Sequence, residues 1–238
     1  MAKPVSLKNI TAGSLAAMII LTFIWVLCHK HKHAVTVTEK IEQLKLASGP
    51  RIRKKVQDCG LNFPPKKLLL YADKTARLLT VYGFGENTGP AEITSYRFTG
   101  FSGSLGPKQK EGDRQIPEGI YDITALNPQS RFHLSIRIEY PNAFDKRMAE
   151  IENRTNPGGD IYIHGGSATI GCIPIGNDNI EELFYLVNQT GLKNTGIVIT
   201  PKNLTGINID SQTYQIPWQK QLYKKIQEFT KNNLQKKK

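Results

Sequence analysis

The middle of this chain lacks net charge, although the 238 residues together carry a formal charge of +12. Residues 60–200 contain fourteen Lys/Arg against fifteen Asp/Glu, residues 1–59 contain ten against three, and residues 201–238 contain eight against two. A protein that binds duplex DNA or RNA carries its positive charge on a folded face. Because the excess of positive charge is confined to the two flanks, we expect no nucleic-acid partner.

Cysteine is also scarce, with three residues in the whole chain, Cys28, Cys59 and Cys172. No second Cys or His pair lies at zinc-ligand spacing from Cys172, which argues against a zinc site there. We expect neither a metal nor an organic cofactor, no internal repeat is visible, and no obligate protein partner is indicated. The sequence is also compatible with a disulfide between Cys59 and Cys172, because an oxidising compartment would permit it.

One uncharged run is long enough to span a bilayer as a helix, from Ile10 to Cys28. No small-x-small cleavage site precedes the following HKHKH, and Leu27 is not the small residue that bacterial lipoproteins need before an acylated cysteine. We therefore predict an uncleaved anchor. Basic residues flank both ends, so its orientation is open from the run alone. The three histidines of HKHKH are taken as a polar flank rather than a metal site.

The rest of the chain predicts a mainly β domain with a few helices, an α+β fold with two packed sheets or a barrel-like core. Thr36 and Glu39 form a capping-box pattern, and Asp178 with Glu181 predicts a cap for a later helix. Near the end, apolar residues recur at helical spacing with lysines between them. We predict four regions: 1–33, N-terminal stub, anchor and basic flank; 34–65, helical juxtamembrane linker; 66–200, main domain; 201–238, an extension with a basic amphipathic helix.

The segment IYIHGGSATIGCIPIGND, residues 161–178, contains two candidate catalytic residues, His164 and Cys172. Strand alternation places Ile161 and Ile163 on one face and His164 on the other, at a strand end followed by two glycines. Seven residues separate His164 from Cys172, enough for the chain to turn and return. We therefore expect the Cys172 thiol to lie within hydrogen-bond reach of the His164 imidazole, which would hold the sulfur as a thiolate. A backbone N–H at the Gly171–Cys172 turn would receive the oxyanion of an acyl-transfer intermediate. A buried small residue and a structural histidine are the competing interpretation.

This segment resembles the active-site segment of the L,D-transpeptidase catalytic domain (YkuD) family. GPKQKEGDRQIPEGIYDI, from residue 106, is similar to the family's upstream signature, and FHLSIRIEYPNAFDK, from residue 132, resembles its YafK-like murein transpeptidase branch. The resemblance covers roughly residues 66–200. It departs from most members at Ile170, where they have histidine, and in the shorter segment between the two catalytic residues.

The resemblance implies that Cys172 is the acyl-accepting nucleophile, His164 its base, and Gly171 part of the oxyanion hole. Arg114, His133, Ser135 and Tyr140 lie in the resembling motifs and are weaker candidates for substrate binding. The implied activity is acyl transfer on peptidoglycan stem peptides through a thioester, in cell-wall remodelling or cross-linking. The implied location is the bacterial cell envelope, anchored in the cytoplasmic membrane with the catalytic domain outside it. Two alternatives remain: a hydrolase that uses the same thioester, and a non-catalytic, membrane-tethered wall-binding protein.

Overall fold

The computed structural model describes residues 35–86 and 88–234. The helices are α1 (Val37–Ala47), α2 (Gly49–Asp58), α3 (Ala143–Ile151), α4 (Asn177–Thr190) and α5 (Gln219–Leu234), with short 3-10 turns at Leu192–Asn194 and Ile209–Ser211. The strands are β1 (Lys67–Asp73), β2 (Leu78–Phe84), β3 (Ala91–Arg97), β4 (Gly119–Ser130), β5 (His133–Ile138), β6 (Tyr162–His164), β7 (Ile173–Pro174) and β8 (Thr195–Thr200). The mixed α+β class is therefore confirmed.

The eight strands form one sheet in the order β3-β2-β1-β8-β4-β5-β6-β7. The two halves share β4, whose residues Gly119–Asp122 pair with β8 and whose later residues pair with β5. Helix α4 contacts β1, β5 and β6, strands from both halves, so the sheet curls around this helix. One curled sheet thus takes the place of the two packed sheets or barrel-like core that the sequence favoured, because the twelve-residue β4 runs on from one half into the other.

Two hydrophobic clusters lie on opposite faces of the sheet. Along β1, Leu68 and Leu70 belong to the main core with α1, α2 and α4, whereas Leu69 belongs to a second core with α5. This is the period-two alternation of a strand that is covered on both faces. From Thr36 onward the described chain forms one compact unit. The segment 34–65, predicted as a linker, places its two helices in the main core.

Of the two predicted helix caps, one is present and one is not, and the predicted C-terminal helix is present. The capping box of Thr36 and Glu39 is present at the start of α1, as predicted. The predicted cap at Asp178 is wrong, because Gly176, with φ of 83°, turns the chain out of β7 and α4 begins at Asn177. The amphipathic C-terminal helix is α5, which is docked on the second core through Leu222 and Ile226.

No helix within residues 35–86 and 88–234 has the length and apolarity needed to cross a bilayer. The predicted anchor, residues 10–28, and the HKHKH flank lie outside these described ranges.

Candidate active site

Strand β6 presents His164 at its carboxyl end. Ile161 and Ile163 lie in the main core, and His164 faces the opposite side of the strand, as strand alternation predicts. Strand β5 pairs with β6 so that Ser135 stands opposite His164. The imidazole is therefore held by its backbone at a fixed place on the sheet.

Cys172 directly precedes β7, which pairs in parallel with β6. Because Ile163 stands opposite Ile173 and His164 opposite Pro174, Cys172 comes level with Tyr162 and lies diagonally from His164. Diagonal neighbours on one face of a sheet are about 7–8 Å apart between their backbones, within reach of long side chains but loose for a cysteine. The parallel register thus brings the thiol and the imidazole to one face of the sheet without joining them.

Two glycines of the connecting loop are required by its conformation. Gly171 has φ of 133°, and a Cβ there would lie 3.0 Å from the Gln115 carbonyl oxygen. At Gly165 a Cβ would lie 2.6 Å from the Asn177 Oδ1 atom. Neither position accepts a side chain without a shift of backbone or of α4, so the glycines let the loop fold tightly between the two catalytic candidates.

A cavity of about 260 Å³ opens over this part of the sheet, and we call it the cysteine cavity. Its lining residues are Asn127, Gln129, Ser130, Arg131, Phe132, Ser135, Tyr162, His164 and Cys172. The Phe132 ring stacks on the His164 imidazole with 4.5 Å between ring centroids. The β4–β5 hairpin therefore forms one wall and covers the imidazole from one side.

The hydrogen bonds of His164 define its tautomer. Its Nδ1 lies 2.6 Å from the Gly165 carbonyl oxygen, so Nδ1 carries the proton and donates it. Its Nε2 is buried and has no hydrogen-bond partner among the described residues. Burial lowers the pKa of His164, and the Gly165 carbonyl opposes that shift. The imidazole is therefore neutral at pH 7, with the Nε2 lone pair available as a base.

Burial raises the pKa of the Cys172 thiol; the Tyr162 backbone and Lys108 oppose that shift, and the Asp160 carboxylate adds to it. A thiol whose pKa lies above its ordinary value is protonated at neutral pH. Its Sγ donates a weak hydrogen bond of 3.7 Å to the Asp160 carbonyl oxygen, not to His164. The expected hydrogen-bonded pair with a thiolate is thus not what the structure shows; a neutral thiol and a neutral imidazole face one cavity. Cys59 and Cys172 are both free cysteines, so the two are not joined as a disulfide.

This state predicts how Cys172 reacts with iodoacetamide. We expect its alkylation rate to keep rising above pH 8.5, about where an ordinary thiol titrates, because only the thiolate reacts. Mass spectrometry of the Cys172 peptide across a pH series measures the profile. The same peptide in urea-unfolded protein is the matched control and should titrate at the ordinary value. Full reactivity of the folded protein already at pH 6 would contradict the neutral pair.

The amides predicted for the oxyanion hole already have partners. Gly171 N–H and Cys172 N–H both donate to the Thr169 Oγ1, at 3.2 and 2.9 Å. The Thr169 hydroxyl in turn donates to the Cys172 carbonyl oxygen at 2.8 Å. An oxyanion at this position would have to replace Thr169 as the acceptor.

Of the four weaker candidates, the structure brings only Ser135 into the cysteine cavity. His133 turns to α4, where its Nε2 lies 2.7 Å from the Glu181 Oε1. Tyr140 is buried, and its hydroxyl donates to the Pro157 carbonyl at 3.0 Å. Arg114 is exposed in the loop before β4, and its carbonyl accepts from Ser102. Motif membership alone does not tell which face of the chain a side chain occupies.

Sequence reasoning missed the hairpin wall of the cysteine cavity, above all Arg131 and Phe132. The available signal was the turn between two strand patterns, NPQSRF at 127–132, which ends in an aromatic residue. The described residues contain no group of three His, Cys, Asp or Glu side chains able to hold a metal ion.

A sequence model of the L,D-transpeptidase catalytic domain (YkuD) matches residues 68–199, more than half of the chain. YafK of Escherichia coli (strain K12), a protein named as a candidate L,D-transpeptidase, is 34% identical over 127 residues, which cover 51% of this chain and 49% of YafK. The chain thus spans about half the length of the curated relatives it matches.

Two solved structures are also similar. The helical cell shape determining protein Pgp2 from Campylobacter jejuni is 22% identical with a TM-score of 0.47, over 64% of this chain and 55% of that one. L,D-transpeptidase 1 of Mycobacterium tuberculosis is 17% identical with a TM-score of 0.33, over 56% and 62%. Because both TM-scores are below 0.5, the assignment depends on the matched domain and not on these two structures. On that match, the chain belongs to the L,D-transpeptidase catalytic domain (YkuD) family.

Proposed function

We propose that this chain transfers acyl groups of peptidoglycan stem peptides through a thioester on Cys172. The observation that carries the proposal is the cysteine cavity, which is lined by a free thiol and by His164, a histidine whose buried Nε2 has no hydrogen-bond partner among the described residues. Family membership supports the substrate class. A role in remodelling or cross-linking the bacterial cell wall follows, with the catalytic domain outside the cytoplasmic membrane, where that substrate lies.

The first half of the reaction forms the thioester. As the Cys172 Sγ attacks a carbonyl carbon at an L-centre of the stem peptide, His164 Nε2 takes the thiol proton. The carbonyl oxygen becomes an oxyanion in the tetrahedral intermediate. When the C–N bond breaks, Nε2 returns the proton to the leaving amine. The Gly165 carbonyl holds Nδ1–H throughout and stabilises the transient imidazolium.

The second half reverses these roles. An acceptor amine attacks the thioester carbonyl, Nε2 takes a proton from the amine, and Sγ leaves to recover that proton as a thiol. Hydrogen bonds at catalytic sites are often loose before substrate binds and tighten in the complex. Substrate in the cavity would therefore shorten the distance from Sγ to Nε2 and displace Thr169 from the Gly171 and Cys172 amides.

Three further residues, one at the oxyanion site and two in the cavity lining, would support the reaction. Gly171 has φ of 133°, and its N–H and that of Cys172 both donate to the Thr169 Oγ1, so an oxyanion in the place of that oxygen could accept from both amides. Arg131 is the cationic side chain of the described cavity lining, and a carboxylate of a stem peptide is the group it would pair with. Ser135, opposite His164, would contact the bound peptide.

Hydrolysis by the same thioester is the second candidate, and one observation favours it. Ile170, where most relatives have histidine, is 78% exposed and so does not wall off the thioester from water. A transferase must hold an amine near the thioester and limit access of water, whereas a hydrolase needs only an open approach. We place transfer first because the family is one of transpeptidases.

Incubation of the full chain with a stem tetrapeptide and an isotope-labelled D-amino acid separates these candidates. We expect a labelled exchange product, because the acceptor amine captures the thioester. The Cys59→Ala variant, which loses the other described free thiol, should give the same product. Release of free carboxylate without labelled product would instead show a hydrolase. The absence of both products would contradict the enzymatic function.

A further inference from the structure

A second cavity, of about 350 Å³, lies between residues 104–115 and residues 213–223, and we call it the polar groove. One wall is the loop before β4, and the other is the segment that leads into α5. None of the described side chains that line it is charged. Six of them are neutral and polar: Ser104, Gln109, Gln115, Thr213, Gln215 and Gln219.

This lining selects a class of ligand. Each glutamine amide offers both donors and an acceptor, which matches groups such as hydroxyls and acetamides that also do both. Gln109 and Gln215 form no side-chain hydrogen bond with other described residues, so their amides are available. Leu105, 52% exposed, and Ile216 add apolar surface to the same groove. Neutral amides beside apolar surface suit the polar rim and apolar face of a sugar ring.

Buried hydrogen bonds join the two walls of the polar groove. Lys74 and Glu118 are fully buried, and the Lys74 Nζ donates to Glu118 Oε1 and to the Gly106 carbonyl, both at 2.8 Å. The Tyr223 hydroxyl of α5 donates to Glu118 Oε2 at 2.7 Å. Through Lys74 and Glu118, these bonds connect Gly106 in one wall with Tyr223 in the other.

The groove is connected to the catalytic segment through Gln115. Its side chain lines the polar groove and is held by Ser104, while its carbonyl oxygen lies against Gly171. The strip of chain around Gln115 therefore separates the groove from Cys172. If a polymer bound in the groove, a peptide branch on it could extend past Gln115 toward Cys172.

From these contacts we propose that the polar groove binds the glycan strand of peptidoglycan, a β-linked polymer of N-acetylated sugars. This inference rests on the proposed function, because it assigns the sugar part of the same substrate. Stem peptides hang from the glycan, so the groove would hold the polymer while the cysteine cavity takes the peptide. The C-terminal extension, through Gln215 and Gln219, would then be part of the substrate-binding surface.

A neutral probe tests the groove: the tetramer of β-1,4-linked N-acetylglucosamine, titrated into the full chain by calorimetry or NMR. We expect binding to the wild type, weakened about three- to tenfold in the double variant Gln109→Ala/Gln215→Ala, as loss of one or two hydrogen bonds implies. The matched control is Gln221→Ala, an exposed glutamine of α5 outside the groove, which should bind as the wild type does. All three proteins should turn over free stem peptides at the same rate.

The possible failures are distinguishable. If the wild type turns over stem peptides but does not bind the tetramer, the groove assignment is wrong while the proposed function stands. Binding that the double variant leaves unchanged would also overturn the assignment, since the sugar would then lie elsewhere. Binding of the tetramer without turnover of stem peptides would overturn the proposed function and leave the groove assignment intact.

Discussion

Replacing Cys172 by alanine is expected to lower turnover of stem peptides by at least about 10⁴-fold, the scale seen when a covalent nucleophile is removed. The reason is that no other described thiol lines the cysteine cavity. Without Sγ the thioester cannot form, and His164 alone has no acyl acceptor to activate. Measurement of product release from a stem tetrapeptide by mass spectrometry gives the rate.

The fold should survive this substitution. The half-buried Cys172 side chain donates a weak hydrogen bond of 3.7 Å to the Asp160 carbonyl, and its replacement leaves the pairing of β6 with β7 in place, so we expect a cost of about 1 kcal/mol of unfolding free energy. Cys59→Ala is the matched control, because it removes a thiol at the end of α2 and should leave turnover unchanged. Turnover at the wild-type rate in Cys172→Ala would eliminate the thioester mechanism. If that turnover came from a contaminating enzyme and this chain had no activity of its own, the wall-binding alternative would be favoured.

Replacing Lys74 by alanine is expected to lower the free energy of unfolding by about 3–5 kcal/mol, the usual cost of removing one partner of a buried ion pair. The Lys74 Nζ donates to Glu118 and to the carbonyl oxygens of Gly106 and Ile116. Burial lowers the pKa of Lys74, and the Glu118 carboxylate opposes that shift. Without the ammonium group, a carboxylate and two carbonyls lose a partner inside the protein.

Urea unfolding measures this loss, and the chain offers a matched control. Lys110 is exposed, and Lys110→Ala should change the free energy of unfolding by less than about 0.5 kcal/mol. The double variant Lys74→Met/Glu118→Gln removes both charges at similar volume and should recover part of the loss. A loss below about 1 kcal/mol for Lys74→Ala would show that the pair does not hold the loop before β4 against α5.

The placement of the two catalytic candidates could be predicted from local rules, whereas their proposed roles come from the resemblance to the family. Strand alternation places His164 on the other face of the strand from the core residue Ile163, and a glycine before Cys172 indicates a tight turn. Their relation in space depends on the parallel register of β6 and β7, a non-local pairing that spacing cannot give. The expectation of a hydrogen-bonded pair failed for that reason, since Cys172 comes level with Tyr162 instead.

Other features depended on contacts between distant segments. The Phe132 ring reaches His164 because the β4–β5 hairpin folds over β6, a contact between residues 32 positions apart. His133, its neighbour, has φ of 75° and turns to Glu181 on α4 instead. The curl of the sheet likewise comes from β4 serving both halves. Local patterns predicted the elements, whereas tertiary pairing determined which side chains meet.

The most direct test of the account is the mass of Cys172 during turnover. The full chain is mixed with a stem tetrapeptide, quenched in acid within seconds, digested and measured by mass spectrometry. We predict an added mass equal to the donor acyl group on the Cys172 peptide, removable by hydroxylamine as a thioester is, and formed more slowly in His164→Gln. Product formation with Cys172 unmodified at every quench time, or with the acyl group on Cys59, would contradict it.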